Sequence, residues 1–167
     1  MEGNVRYQNS ASCVKTLPFF EALKQLSLPD LHRNLFSSPE WMSVLYKTYG
    51  VRLFVKYIEE EGRVRSYVIY SLVRNFLEEK ICVCPYCDYC DCPVASVEDW
   101  HLFFESWRQE YPLYRIAVRN LRDPFARQCK DFKFLYYEMY HELDVRDDIS
   151  LIWKRTHDSF KAAVNQA

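Results

Sequence analysis

Apolar residues recur at helical spacing in four stretches of the chain, and this periodicity predicts four amphipathic helices. The first stretch covers 16–28 and the last covers 147–167. The third begins at Ser96, because a serine hydroxyl readily accepts a hydrogen bond from an unpaired amide at a helix N-terminus. Its predicted apolar face comprises Val97, Trp100, Phe104 and Trp107.

The second helix has the clearest boundary signals. Either Ser37 or Ser38 suits the N-cap, and Pro39 suits the first turn, where a missing amide hydrogen costs nothing. Gly50 suits the end, since glycine adopts the left-handed conformation that often terminates a helix. The predicted buried face comprises Trp41, Val44, Leu45 and Tyr49.

Strand-like stretches lie between these helices. Residues 51–73 are predicted to form a hairpin with a tight turn at Glu61-Gly62. Further strands are predicted at 79–85, at 113–120 as a central strand, and at 132–145. The order α–α–β–β–β–α–β–β–α indicates an α/β (α+β) fold, a central mixed sheet flanked by helices on its faces. A chain of 167 residues suits a single domain, 1–167.

Composition and charge narrow the classes of function. The net charge of −1 argues against general nucleic-acid binding, and no apolar run is long enough to predict a membrane span. The N-terminal residues do not resemble a signal peptide, so a cytoplasmic location is expected. Only three glycines are present, which excludes a glycine-rich phosphate-binding loop.

Five cysteines lie within residues 82–92, with the spacing C-x-C-x-x-C-x-x-C-x-C. They are Cys82, Cys84, Cys87, Cys90 and Cys92. C-x-x-C is a common spacing for two thiolates on one zinc ion, and the run is one residue short of a ferredoxin iron–sulfur motif. A cytoplasmic location disfavours disulfides, and the acidic neighbours disfavour an anionic cluster. A zinc site, an iron–sulfur cluster and a loop of small packed thiols remain open interpretations.

Charged residues supply two further candidate sites. Arg115, Arg119 and Arg122 form a local positive run that could bind a phosphate or carboxylate, or simply face solvent. Asp88 and Asp91 could bind a substrate amine or act as a general base, although aspartate is also common in turns. No residue is predicted to be catalytic.

Four segments resemble, in order, the GNAT-like first half of Fem-type aminoacyltransferases and related acetyltransferases. "LFSSPEWMSVLYKTYG" (35–50) resembles the helix before the family's first hairpin, and 51–73 is similar to that hairpin. "PYCDYCDCPVAS" (85–96) resembles a P-x-x-D-Y-x-x-P loop in which the family often has serine or glycine where this chain has cysteine. The segment 141–167 resembles the strand and long helix that close the first half.

The resemblance implies acyl or aminoacyl transfer to an amine, with acyl-CoA or aminoacyl-tRNA as donor and a small-molecule or peptidoglycan-type amine as acceptor. It implies substrate binding near Asp88, Tyr89 and Asp91. The family's donor loop needs glycines that 85–97 lacks, and Fem-type proteins continue into a second GNAT-like half. The isolated chain is therefore expected to be inactive. A cysteine-rich zinc or iron–sulfur module and a non-catalytic interaction domain remain the alternatives.

Overall fold

The computed structural model describes residues 14–31, 35–74, 78–87, 92–119, 123–133 and 148–155, together with Asp158 and Lys161. The chain divides into two compact units, 1–133 and 134–167. The described elements of the first unit are β1 (Val14–Pro18), α1 (Phe19–Gln25), a 3₁₀ turn (Leu35–Ser37), α2 (Pro39–Tyr49), β2 (Leu53–Glu60), β3 (Arg63–Arg74), β4 (Glu79–Val83), α3 (Val97–Glu110), β5 (Arg115–Val118) and α4 (Pro124–Gln128). The second unit contains α5 (Ile149–Arg155).

The described strands form one mixed sheet in the order β1-β2-β3-β4-β5. The first four pair antiparallel, and a bulge between Ile58 and Glu59 shifts the register of β2 against β3. β4 and β5 pair in parallel, with Ile81 opposite Ile116, because α3 carries the chain back to the starting edge between them. This arrangement confirms the predicted α/β fold with a mixed sheet.

Helix and loop segments contact both faces of the sheet. On one face, the ring of Tyr70 in β3 packs edge-on against Trp107 in α3, with 5.4 Å between the ring centroids. On the opposite face, the hydroxyl of Tyr67 donates a hydrogen bond of 2.8 Å to the carbonyl of Pro29, which follows α1. Tyr67 and Tyr70 are both buried, as are the two residues between them in β3.

Local boundary signals are confirmed where the chain reverses. Ser38 caps α2 by accepting a hydrogen bond from the Trp41 amide, and Gly50 ends that helix with φ 64°. Ser96 caps α3 in the same way, through the Asp99 amide. The β2–β3 turn lies at Glu61-Gly62, as predicted.

Three predictions from periodicity need correction. Residues 14–18 form a strand, and α1 begins only at Phe19, because backbone pairing with β2 takes up the residues before it. α2 buries Met42 and Leu45, whereas Val44 is exposed. The strand predicted at 113–120 is shorter: Arg115–Val118 form β5, which lies at the end of the sheet among the described residues.

The face of α3 is partly as predicted. Trp100 and Trp107 are fully buried, but Phe103 rather than Phe104 completes the buried row. Phe104 is half-buried and packs against Phe132, at 5.7 Å between the ring centroids. Of the predicted strand 132–145, only Phe132 and Lys133 lie within the described residues.

Candidate functional site at the end of the fourth strand

The segment between β4 and α3, residues 84–96, leaves the carboxyl end of β4 beside its parallel neighbour β5. β4 pairs in parallel on one side and antiparallel on the other, so the direction of the sheet changes there. Ligand sites in α/β sheets commonly lie outside the carboxyl ends of parallel strands, and β4 and β5 are the parallel pair here. The 84–96 segment is therefore the candidate site, and it contains most of the clustered cysteines.

The first arm of this segment, residues 84–87, has an unusual backbone conformation. The Cys84 amide donates a hydrogen bond of 2.8 Å to the Ile69 carbonyl, which prolongs the contact of β4 with β3. Cys84 and Tyr86, on either side of Pro85, both have positive φ, at 48° and 55°. Left-handed backbone costs a non-glycine residue about 1–2 kcal/mol, so the surrounding contacts must compensate for it. The result buries Cys84 and leaves 63% of Tyr86 exposed.

The described cysteines of this region are mostly buried thiols. Cys84, Cys87 and Cys92 are buried, Cys82 is half-buried, and these four form no disulfide with one another. The Cys87 thiol donates a hydrogen bond to the Cys84 carbonyl. Burial raises the pKa of the Cys82 thiol, which keeps it protonated near neutral pH and disfavours a nucleophilic role.

No group of three or more histidine, cysteine, aspartate or glutamate side chains with metal-site geometry occurs among the described residues. Cys82, Cys84, Cys87 and Cys92 are thus not gathered as ligands. Cys90 lies outside the part of the chain that the structure describes.

The second arm, residues 92–96, is hydrogen-bonded to β3. The Tyr67 amide donates to the Pro93 carbonyl at 3.2 Å, and the Ala95 amide donates to the Ser66 hydroxyl oxygen at 2.8 Å. The Ser66 hydroxyl in turn donates to Asp99 Oδ2 at 2.5 Å. These bonds fix the point at which the segment enters α3.

Asp99 is the centre of this attachment. Its carboxylate is 1% exposed and accepts hydrogen bonds from two nitrogens of Arg65, at 2.6 Å from Nη2 to Oδ1 and 3.2 Å from Nε to Oδ2. Its position in the first turn of α3 also places a negative charge at the positive end of the helix dipole. Asp99 and Ser66 therefore position the segment, and contact with a ligand is not needed to explain either of them.

The sequence-predicted substrate residues Asp88, Tyr89 and Asp91 lie outside the described residues, as does Arg122. Arg119 is at the site: its Nη1 donates a hydrogen bond of 3.0 Å to the Cys87 carbonyl. Arg115 begins β5 and Arg119 follows its end, roughly 13 Å away at the rise of a strand. These two arginines are consequently not brought together.

The sequence analysis did not assign two tyrosines of the site as binding residues. Tyr49 at the end of α2 and Tyr86 in the first arm are stacked, with 5.4 Å between the ring centroids and 9° between the ring planes. Tyr49 had been predicted to be buried, but 62% of it is exposed. It follows Met42 and Leu45 on the same side of α2, one turn past the core. Asp99 could have been identified from the sequence, because an acidic residue three positions after the Ser96 cap is typical of a helix N-terminus.

A second buried charge lies under the other end of α3. Lys56 in β2 is fully buried, and its Nζ donates to Ser106 Oγ at 2.8 Å and to Glu110 Oε1 at 2.5 Å. Burial lowers the pKa of Lys56, and the hydrogen bond that Lys56 donates to Glu110 opposes that shift. Burial also raises the pKa of the neighbouring Tyr70 hydroxyl.

Comparison of the chain with protein-family models, with curated proteins and with solved structures gave no match. Within the described ranges, no helix is both long and apolar enough to cross a membrane.

Proposed function

We propose that the chain is a GNAT-like domain related to N-acyl- and aminoacyltransferases, and that it contributes acceptor binding at the 84–96 segment. The observation that supports this most is the path of the chain: a strand, two helices, a hairpin, a strand, a crossover helix and a parallel strand. In that path the segment resembling the family's P-x-x-D-Y-x-x-P loop leaves the carboxyl end of β4, beside β5. That is where a ligand site is expected on physical grounds alone.

The proposed role is binding of an amine. Asp88 and Asp91 belong to the segment whose two arms are attached, one through Cys84 to β3 and the other through Ser66 to α3. The described residues on either side of them are thus fixed to the sheet. A carboxylate of Asp88 or Asp91 would pair with a protonated amine.

The chain alone is proposed to lack a donor site. Holding the pyrophosphate of acyl-CoA requires several backbone amides facing one anion, and such loops rely on glycine. Residues 85–97 contain no glycine. Donor binding is therefore assigned to a second half or to a separate protein, and acetyl-CoA is expected not to bind.

The test is a nuclear magnetic resonance titration with Nα-acetyl-L-lysine methylamide as the acceptor probe and acetyl-CoA as the donor probe. The lysine probe is expected to shift amide resonances of 84–96, and Asp88→Asn is expected to weaken it at least fivefold. Glu21→Gln, which removes an exposed carboxylate on α1, is the matched control. A stoichiometric acetyl-CoA complex would contradict the missing donor site, and an unchanged spectrum with the lysine probe would contradict acceptor binding.

The metal alternative is decided on the same preparation. Anaerobically purified protein is expected to contain well under one equivalent of zinc or iron. One equivalent of either metal, lost in Cys87→Ser and Cys90→Ser, would instead establish the cysteine-rich module.

A further inference from the structure

Among the described residues of the candidate site, Tyr49 and Tyr86 form a stacked aromatic pair that is exposed to solvent. The ring planes differ by 9° with centroids 5.4 Å apart, an offset stack in which one face of each ring is covered by the other. Both residues are nevertheless more than 60% exposed. The outer faces of the two rings are thus available to a ligand.

The backbone holds these rings outside the core. Tyr49 lies beyond the buried Met42 and Leu45 on the same side of α2, in the last turn of the helix. Tyr86 is presented by a left-handed residue, φ 55°, directly after Pro85. The ring stack and the left-handed penalty at Tyr86 are of similar size, so the arrangement adds little net stability to the fold.

The ring faces of the pair favour a cation, even though the Arg119 guanidinium bonds the carbonyl of Cys87, the residue after Tyr86. The face of an aromatic ring carries the negative part of its quadrupole and attracts ammonium groups. α2 ends at Gly50, so the negative end of its dipole lies beside Tyr49. Lys47, two residues before Tyr49, projects from a different side of the helix. In the sequence, the carboxylates of Asp88 and Asp91 follow Tyr86 within five residues.

We propose that Tyr49 and Tyr86 bind the alkylammonium group of the acceptor by cation–π contact and so select a charged amine over a neutral side chain of the same shape. This inference rests on the proposed function and names the residues that determine its specificity. The tyrosine faces supply the attraction, and the left-handed backbone at Tyr86 fixes the position of its ring.

The experiment compares three probes by titration, following the ring and amide resonances of Tyr86. They are Nα-acetyl-L-lysine methylamide, its uncharged isostere Nα-acetyl-L-norleucine methylamide, and tetramethylammonium. The lysine probe is expected to bind at least fivefold more tightly than the norleucine probe. Tyr49→Leu and Tyr86→Leu are each expected to weaken lysine binding about threefold. Tyr86→Phe keeps a ring face and is expected to stay within twofold of the unmodified protein.

Each failure has a distinct signature. Equal binding of the lysine and norleucine probes, or unchanged affinity in both leucine variants, would overturn the cation–π inference. If Asp88→Asn still abolishes lysine binding in that case, the acceptor function survives without it. If only tetramethylammonium shifts Tyr86, the ring pair binds cations but the acceptor function is wrong. No response of Tyr86 to either cation overturns the inference directly.

Discussion

The two ends of α3 bury opposite charges against the same sheet. At the N-terminal end Asp99 is 1% exposed and its partner Arg65 is 37% exposed. At the C-terminal end Lys56 is fully buried and its partner Glu110 is 40% exposed. In each pair the buried member carries the charge that the nearby helix end attracts, a carboxylate at the positive end and an ammonium at the negative end.

The difference between the two pairs lies in what else each one holds. Asp99 shares its carboxylate with Ser66, and through Ser66 with the Ala95 amide of the candidate site. Glu110 and Ser106 bind Lys56 and each other, and the bonds do not extend to a loop. The same physical device is thus used once to position a functional segment and once to attach a helix to the core.

Asp99→Ala should be the most damaging change. It removes the counter-charge of Arg65, the acceptor for Ser66 and the negative charge at the α3 N-terminus, so a loss of about 3 kcal/mol in unfolding free energy is expected. Urea denaturation measures the loss. Glu98→Ala, an exposed neighbour in the same turn, should cost less than about 0.5 kcal/mol. Equal losses in the two variants would contradict the positioning role.

Glu110→Gln should cost about 2 kcal/mol at pH 7, because it leaves the Lys56 ammonium buried without a counter-charge. The loss is smaller than for Asp99 because Lys56 can release its proton. Adding Lys56→Met should restore most of the stability, since an apolar side chain of similar length suits the buried position. A double variant no more stable than Glu110→Gln alone would show that the charge is not the cause.

The Lys56 pair should also change how stability depends on pH. Burial lowers the pKa of Lys56 below 10.5, so between the folded and unfolded values the unfolded chain binds more protons. The difference in unfolding free energy between the unmodified protein and the Lys56→Met variant should therefore rise with pH in that window. The rise should be at most about 1.4 kcal/mol per pH unit. The raised pKa values of Tyr70 and Tyr111 make the unfolding free energy fall as pH rises near 10. Both proteins contain these tyrosines, so this effect largely cancels in the difference between them. A flat difference would contradict the prediction.

Tyr86→Gly should have the smallest effect. It relieves a left-handed penalty of about 1 kcal/mol and loses a ring stack worth a similar amount, so the net change should be within about 0.5 kcal/mol. Tyr49→Ala loses the same stack without backbone relief and should be the more destabilising of the two. Thermal unfolding of both variants measures this order, and the reverse order would mean that Tyr86 is not strained.

Elements with local signals were predictable from the sequence. The hairpin turn depends on Gly62 and the start of α2 on Ser38, and each residue acts through its own backbone or its near neighbours. The change from strand to helix at Pro18 was missed because β1 exists only through pairing with β2, far along the chain. The inward side of α2 was misassigned because Val44 and Met42 are equally apolar, and only the position of the sheet decides which is buried.

The candidate site was only partly predictable for a related reason. Its location followed from the strand–loop–helix order and the unusual cysteine spacing. The attachment of the segment to Ser66 could not be foreseen, since it joins residues about 30 positions apart across β3 and α3. The exposure of Tyr49 could not be foreseen either, because it depends on which residues pack beneath the end of α2.

The pairing of β1 has a consequence for how the domain folds. The β2–β3 hairpin closes across two residues, whereas β1 meets β2 by joining Val14 to Ile58. Long loops close more slowly than short ones, so we predict that the hairpin forms first and β1 adds to it late. Pulse-labelled hydrogen exchange would then show protection of the Lys56 and Val68 amides, which face each other across the hairpin, before that of Lys15, and until β1 arrives an edge of β2 is open to other chains.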